Sequence, residues 1–254
     1  MIRKFYVIFI TIFFTACSIF GTPIPEKIKY EIIQVKDLED LKVEGKGNFV
    51  YSLDGLKLST LTIPVKKQTF VALLLPSIKV VNKIIERDRE IVEILSKKEN
   101  LSEKDQDIYD EIFQKYLVKN GDVELLKERI MIYPTPLILA QGALESGWGT
   151  SDVFQKANNL FGMHSFNPKE PRIPSRAENV FLKKYKSIEG SVYDFVLTLS
   201  RGKDYKELRE AVKRGESPME IAKYLVNYSE IKERYTISVN KVITSNDFMK
   251  YNNN

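Results

Sequence analysis

Downstream of Pro76 the apolar residues recur at helical spacing almost without a break, which leaves room for little except a mostly helical fold. Ile78, Val81, Ile85, Val92 and Leu95 form one stripe, so a helix is predicted to begin near Pro76. Lys97 and Lys98 sit well against the partial negative charge of its last turn. Ser102 is placed to cap a second helix with Ile108, Ile112, Phe113 and Tyr116 on its buried side, and a third should run from about Asp122 to Ile130. Farther on, Thr135 is expected to cap a helix with Pro136 at its first position, where a missing N–H costs nothing, and Gly147 to end it in the left-handed conformation. Ser217, Pro218 and Glu220 form a capping box, and further helices are predicted over 188–200, 204–214 and 230–245. In this half only Glu178 to Tyr185, after the turn-rich stretch from Asn167 to Pro174, reads as a strand or hairpin. The predicted class is mostly α (α+β), with one small β-hairpin and a helical N-terminal extension.

The first residues have a different character. Arg3 and Lys4 precede an unbroken apolar and small-hydroxyl run from Phe5 to Ala16, the pattern of a secretory signal. The run is shorter than the roughly 20 residues that span a bilayer, and Cys17 closes it in a setting that resembles a bacterial lipobox. Lipidation of Cys17, an uncleaved anchor reaching Phe20, and simple secretion all export residue 22 onward. Two or more acyl chains on Cys17 would hold the protein stably at a membrane. Pro23 and Pro25 then give an extended start, and Phe49, Tyr51 and Leu53 alternate up to Asp54-Gly55, with Leu56 and Leu58 alternating after it, a hairpin signal. The expected organisation is a signal peptide over 1–16, a lipidated tether with short strands over 17–65, a helical extension over 66–130 and the main domain over 131–250.

Composition narrows the chemistry. Of 254 residues, 43% are apolar and 29% charged, within the range of folded globular chains. One Cys and one His are present, too few for a zinc finger, an iron–sulfur site or an intramolecular disulfide framework, and no metal or cofactor is expected. His164 has no Gly-x-Ser-x-Gly frame around it, which argues against a serine hydrolase. The net charge of +5 is spread along the chain, and loss of Arg3 and Lys4 with the signal would weaken it, so no nucleic-acid partner is expected.

The residue most suited to chemistry is Glu145, in the run Leu139 to Ser151, LAQGALESGWGTS. Leu137, Ala140 and Leu144 are predicted to face the core, which places Glu145 in the final turn beside Trp148, the one tryptophan. The carbonyl end of a helix and an apolar wall both disfavour ionisation and raise a carboxyl pKa. A carboxyl that stays protonated near neutral pH is what protonates a glycosidic leaving oxygen.

ALESGWGTS, followed by Asn158-Asn159-Leu160-Phe161-Gly162, resembles the signature of the glucosaminidase domains of glycoside hydrolase family 73, closest to their Bax-like branch. The similarity extends from about Leu75 to Asn246. It implies a lysozyme-like fold, an endo-β-N-acetylglucosaminidase activity on peptidoglycan glycan strands, and Glu145 as catalytic acid. It further implies that Asn159, Phe161 and Gly162 shape the sugar site. Trp148 would stack on a sugar or keep water from Glu145, and Tyr228 would orient the acid or the substrate's N-acetyl group. Tyr235 matches a downstream tyrosine of the family, and His164 would line the cleft. A second carboxylate is left open between Glu178, Glu170 and none, the last case making the N-acetyl group the nucleophile. Two other readings stand beside this one: a lytic transglycosylase on the same fold, and a wall-binding lipoprotein that does not cut.

Overall fold

The computed structural model describes residues 23–41 and 47–252; Cys17 and the predicted signal segment lie outside the described residues. The chain opens with β1 (Glu31–Val35) and β2 (Phe49–Leu53), which pair in parallel from Glu31 opposite Phe49 to Val35 opposite Leu53. This corrects the hairpin expected at Asp54-Gly55. Gly55 does turn the chain with a φ of 126°, but Asp54 N–H closes the turn onto Val35 O. Leu56 and Leu58 then enter the core from a short 3₁₀ turn over Leu58–Thr60, and a helix begins before a returning strand has room to form.

That helix, α1 (Ile63–Leu95), also corrects its predicted start. Pro64 lies in its first turn, where proline fits, whereas Pro76 lies inside and removes one backbone donor from a long helix. The run from Val71 to Leu75 is apolar on every side and hid the period. The expected boundary at 65/66 therefore falls inside the helix. The stripe Ile78, Val81, Ile85, Val92 and Leu95 is buried as predicted, and Phe70, Leu73 and Leu74 extend it upstream. By length and composition α1 is the one helix among the described residues able to cross a bilayer, yet half of its most apolar stretch is buried within the protein.

Next come α2 (Glu103–Lys115), capped by Ser102 Oγ accepting from Asp105 N–H, and α3 (Val123–Arg129), capped by Asp122. The central helix is α4 (Thr135–Ser146), buried almost all round from Thr135 to Ala143. Its N-cap is Pro134, with Thr135 already in the first turn, one residue earlier than expected; Gly147 ends it at φ 59° as predicted. A short helix, α5 (Asp152–Ala157), leads to the hairpin β3 (Arg172–Pro174) and β4 (Phe181–Lys183), antiparallel with Ile173 opposite Leu182. One strand lies in the segment read as strand-forming; the other comes from the stretch read as turn. The remaining helices are α6 (Ile188–Arg201), α7 (Lys206–Lys213), α8 (Pro218–Ile221), capped by Ser217, and α9 (Glu233–Ser245), and a 3₁₀ turn over Phe248–Tyr251 follows.

The class is mostly α with two small sheets, as expected. One hydrophobic cluster runs from Val35 through α1, α4, α6 and α9 to Phe248. The β1–β2 pair leans on α1 and α6, and α4 lies against both α1 and α9. The end of α4 thus emerges from the middle of the core, which fixes whatever side chain it carries.

Candidate active site

The last turn of α4 is held by its own sequence. Ser146 Oγ donates to Gly142 O at 2.6 Å and accepts from Gly149 N–H at 2.8 Å, and Trp148 N–H donates to Ala143 O at 2.8 Å. Gly147, Trp148 and Gly149 are all left-handed, with φ of 59°, 60° and 78°. Gly149 has a second constraint: a Cβ there would lie 2.7 Å from Leu58 Cδ2 and 3.2 Å from Phe154 Cε1. The Ser-Gly-Trp-Gly run is therefore a lock that sets the direction in which Glu145 leaves the helix.

Glu145 Oε1 accepts a hydrogen bond from Tyr235 Oη at 2.8 Å, and Tyr235 accepts in turn from Gln141 Nε2 at 3.3 Å. Gln141 lies one helical turn before Glu145 and is fully buried, with its Oε1 unpartnered among the described residues. Because the amide donates to the phenol oxygen, the phenol proton is sent to Glu145. Sequence reasoning missed Gln141; its spacing of four residues from the acid was the available signal.

Burial pushes the Glu145 carboxyl above the usual glutamate range, and the Tyr235 hydrogen bond opposes that rise. Oε1 is held on Tyr235 while the residue as a whole remains open to solvent. That is the geometry an acid needs, since the proton-bearing oxygen must reach a substrate. Tyr235→Phe removes the donor that favours the ionised form. The folded pKa of Glu145 should then rise further, and the alkaline limb of the kcat/KM pH profile should move to higher pH. A limb that stays put or moves down contradicts this assignment.

A chain of rings connects the Asn-Asn-Leu-Phe-Gly segment to the acid. Phe161 stacks on Phe195 with centroids 3.8 Å apart, Phe195 meets Tyr228 edge-on at 5.8 Å, and Tyr228 stacks on Tyr235 at 5.1 Å. The hydroxyl that reaches Glu145 is therefore Tyr235's. Tyr228, expected to orient the acid or the substrate's N-acetyl group, backs Tyr235 with its ring.

The two asparagines of the segment are spent on holding the fold, mostly through backbone. Asn159 accepts from Met163 N–H and donates to Met163 O and Lys183 O, tying the segment to β4. Asn158, left-handed at φ 51°, accepts from Leu53 N–H and donates to Ser52 Oγ and Tyr185 O, joining β2 to the chain leaving β4. Gly162 has φ 66° and open space around its Cα.

Trp148 is packed on the α1 side, its ring 5.5 Å from Phe70 and 6.0 Å from Phe248. His164 is exposed and bridges to Leu182 through its backbone; it lines a separate cavity of about 580 Å³ with Phe166 and Glu170. Glu170 accepts from Ser165 Oγ at 2.7 Å, whereas Glu178 is exposed in the turn between β3 and β4. Among the described residues no group of three or more His, Cys, Asp or Glu is arranged to hold a metal ion.

The chain is 33% identical over 86 residues to Protein bax of Escherichia coli, and 30% identical over 89 residues to the exo-glucosaminidase LytG of Bacillus subtilis. These matches cover 34% and 35% of this chain and 31% of each relative, so the chain spans about a third of the length of the curated relatives it matches. Among solved structures, the glycoside hydrolase domain of Salmonella typhimurium FlgJ is 26% identical, covering 46% of this chain and 77% of that one, with a TM-score of 0.37. The catalytic domain of the autolysin Auto from Listeria monocytogenes is 22% identical, covering 65% of this chain and 96% of that one, with a TM-score of 0.39. The family model described as mannosyl-glycoprotein endo-beta-N-acetylglucosaminidase matches residues 122–248, half of the chain and all of the ring-lined wall around Glu145, and the chain belongs to that glucosaminidase family of glycoside hydrolases.

Proposed function

We propose that the protein is a peptidoglycan hydrolase that cleaves the β-1,4 bond between N-acetylglucosamine and N-acetylmuramic acid, with Glu145 as general acid. The observation that carries this reading is the Glu145 carboxyl itself: it is held on Tyr235 through one oxygen, and burial keeps it above the usual carboxylate range at the end of a core helix. Its proton passes to the leaving glycosidic oxygen, and the resulting carboxylate is then stabilised by the Tyr235 hydroxyl. Glu178, on the exposed tip of the β3–β4 hairpin, is the carboxylate assigned to activating water, with the substrate's N-acetyl group as the alternative nucleophile. In this reading Tyr235, Phe161 and Gly162 belong to the walls of the sugar site, Asn159 holds their segment to β4, and His164 lies apart on its own cavity.

Incubation of the pure protein with peptidoglycan, followed by mass spectrometry of the new ends, is the test. Reducing N-acetylglucosamine ends support hydrolysis as proposed. Anhydro-muramic ends would make the protein a lytic transglycosylase, and no new ends would make it a wall-binding protein. The pattern of residues 1–17 supports export and attachment to a membrane through lipidated Cys17. Cys17→Ser should then release the protein from the membrane fraction, and retention there would refute the lipid anchor.

A further inference from the structure

The cavity beside Trp148 is formed mostly by chain outside the stretch that defines the family. It holds about 350 Å³ between the first half of α1, Trp148 and the C-terminal 3₁₀ turn. Its floor is the apolar face Val71, Ala72 and Leu75, and its sides include the rings of Trp148 and Tyr251. Lys67 Nζ lies 4.7 Å above the Trp148 ring and donates to Asn246 Oδ1 at 2.8 Å, and Lys250 Nζ lies 5.2 Å from the Tyr251 ring. Among the described residues no carboxylate lines the cavity. Asp247, 3.7 Å from Lys250, lies outside it and is largely exposed, so it offers little neutralisation. Trp148 adopts its uncommon positive φ where its ring packs against α1, a backbone cost of the kind that gathers at functional positions.

A few polar groups above an apolar floor and aromatic sides are the usual composition of a small-molecule site. Two ammonium groups, one of them paired only with an exposed carboxylate outside the cavity, favour an anion, and the rings beside them offer an apolar wall to a sugar. We propose that this cavity is an accessory site for a carboxylate-bearing sugar residue of the glycan strand. Lys67 and Lys250 receive the carboxylate, while Tyr251, Trp148 and the α1 floor receive the apolar body of the ring. The choice of sugar rests on the peptidoglycan reading, in which N-acetylmuramic acid is the unit with a carboxylate. The rigid turn over residues 147–149 links this site to the acid, so a strand seated here is anchored three residues from Glu145 in the chain.

Trp148 is the only tryptophan, so its fluorescence reports this cavity directly. Titration with N-acetylmuramic acid should give a saturable change, in wild type and in Glu145→Gln alike. N-Acetylglucosamine, which lacks the carboxylate, should bind roughly tenfold more weakly, the loss of one charge-assisted contact. Lys250→Met should reduce that preference, and Lys67→Met with Lys250→Met should remove it. Lys250 is exposed, so its single variant keeps the test valid even where Lys67→Met disturbs packing at Trp148. No saturable response to N-acetylmuramic acid, equal affinity for the two sugars, or a preference untouched by the lysine variants would overturn the proposal. Full glycan cleavage by Glu145→Gln would overturn the catalytic reading instead and leave the binding result standing.

Discussion

Glu145→Gln is expected to lower turnover on peptidoglycan by at least about 100-fold, the usual cost of losing a general acid. The amide keeps the size of the side chain and can still accept from Tyr235, so the α4–α9 contact survives and the melting curve should stay close to that of the wild type. What is lost is the proton. Because burial raises the Glu145 pKa, the protonated acid persists above the pH at which an ordinary glutamate ionises. The wild-type rate should therefore fall on the alkaline side of that raised pKa, and the residual rate of the variant should lack this limb. A variant that retains wild-type turnover would remove Glu145 from the mechanism.

The second large effect concerns stability. Asp88 of α1 is fully buried and accepts from Lys115 Nζ, 3.0 Å from both carboxylate oxygens, and from Tyr116 Oη at 3.0 Å. Arg201, at the end of α6, donates through Nε to the Lys115 carbonyl at 2.6 Å. The cluster joins α1, α2 and α6, and α6 carries the Phe195 ring that supports Tyr228. Asp88→Ala strands a mostly buried ammonium and a buried phenol, and breaking one side of a buried pair costs about 3–5 kcal/mol. For a chain of this size that is roughly a 10 °C fall in Tm. Denaturant unfolding should show a lower midpoint with an unchanged slope, the sign of lost stability rather than a changed unfolded state. An unfolding free energy within about 1 kcal/mol of wild type would mean that the cluster is ornamental.

How legible the molecule was in its sequence follows from the range of each interaction. Caps act over three or four residues, so Ser102, Asp122, Gly147 and Ser217 were readable as helix ends and fall where expected. The parallel pairing of Glu31–Val35 with Phe49–Leu53 has no local marker, because its register is set by burial against α1 and α6. For the same reason Asp54-Gly55 looked like the centre of a hairpin. At the site, helix position and apolar neighbours made Glu145 a candidate and the resemblance of ALESGWGTS singled it out, but the choice between Tyr228 and Tyr235 depends on how α9 docks on α4. Trp148 is the instructive case: a bulky residue with positive φ is seldom anticipated, and that backbone accompanies a ring on the α1 side. Asn158 had a readable clue, since asparagine just past a helix favours the left-handed cap, though its bonds to β2 had none.

The bonds from Asn158 to Ser52 and Leu53, and the fit of Leu58 and Phe70 around Gly149, bear on how this enzyme can be taken apart. Every one of those partners precedes residue 122, where the family match begins. A graft that carried only the matched stretch into another scaffold would leave both the hairpin hinge and the turn after Glu145 without their backing. The smallest portable unit of this chain therefore has to reach back at least to Ser52, and chimeras joined near residue 122 cut through a shared interior rather than between two bodies.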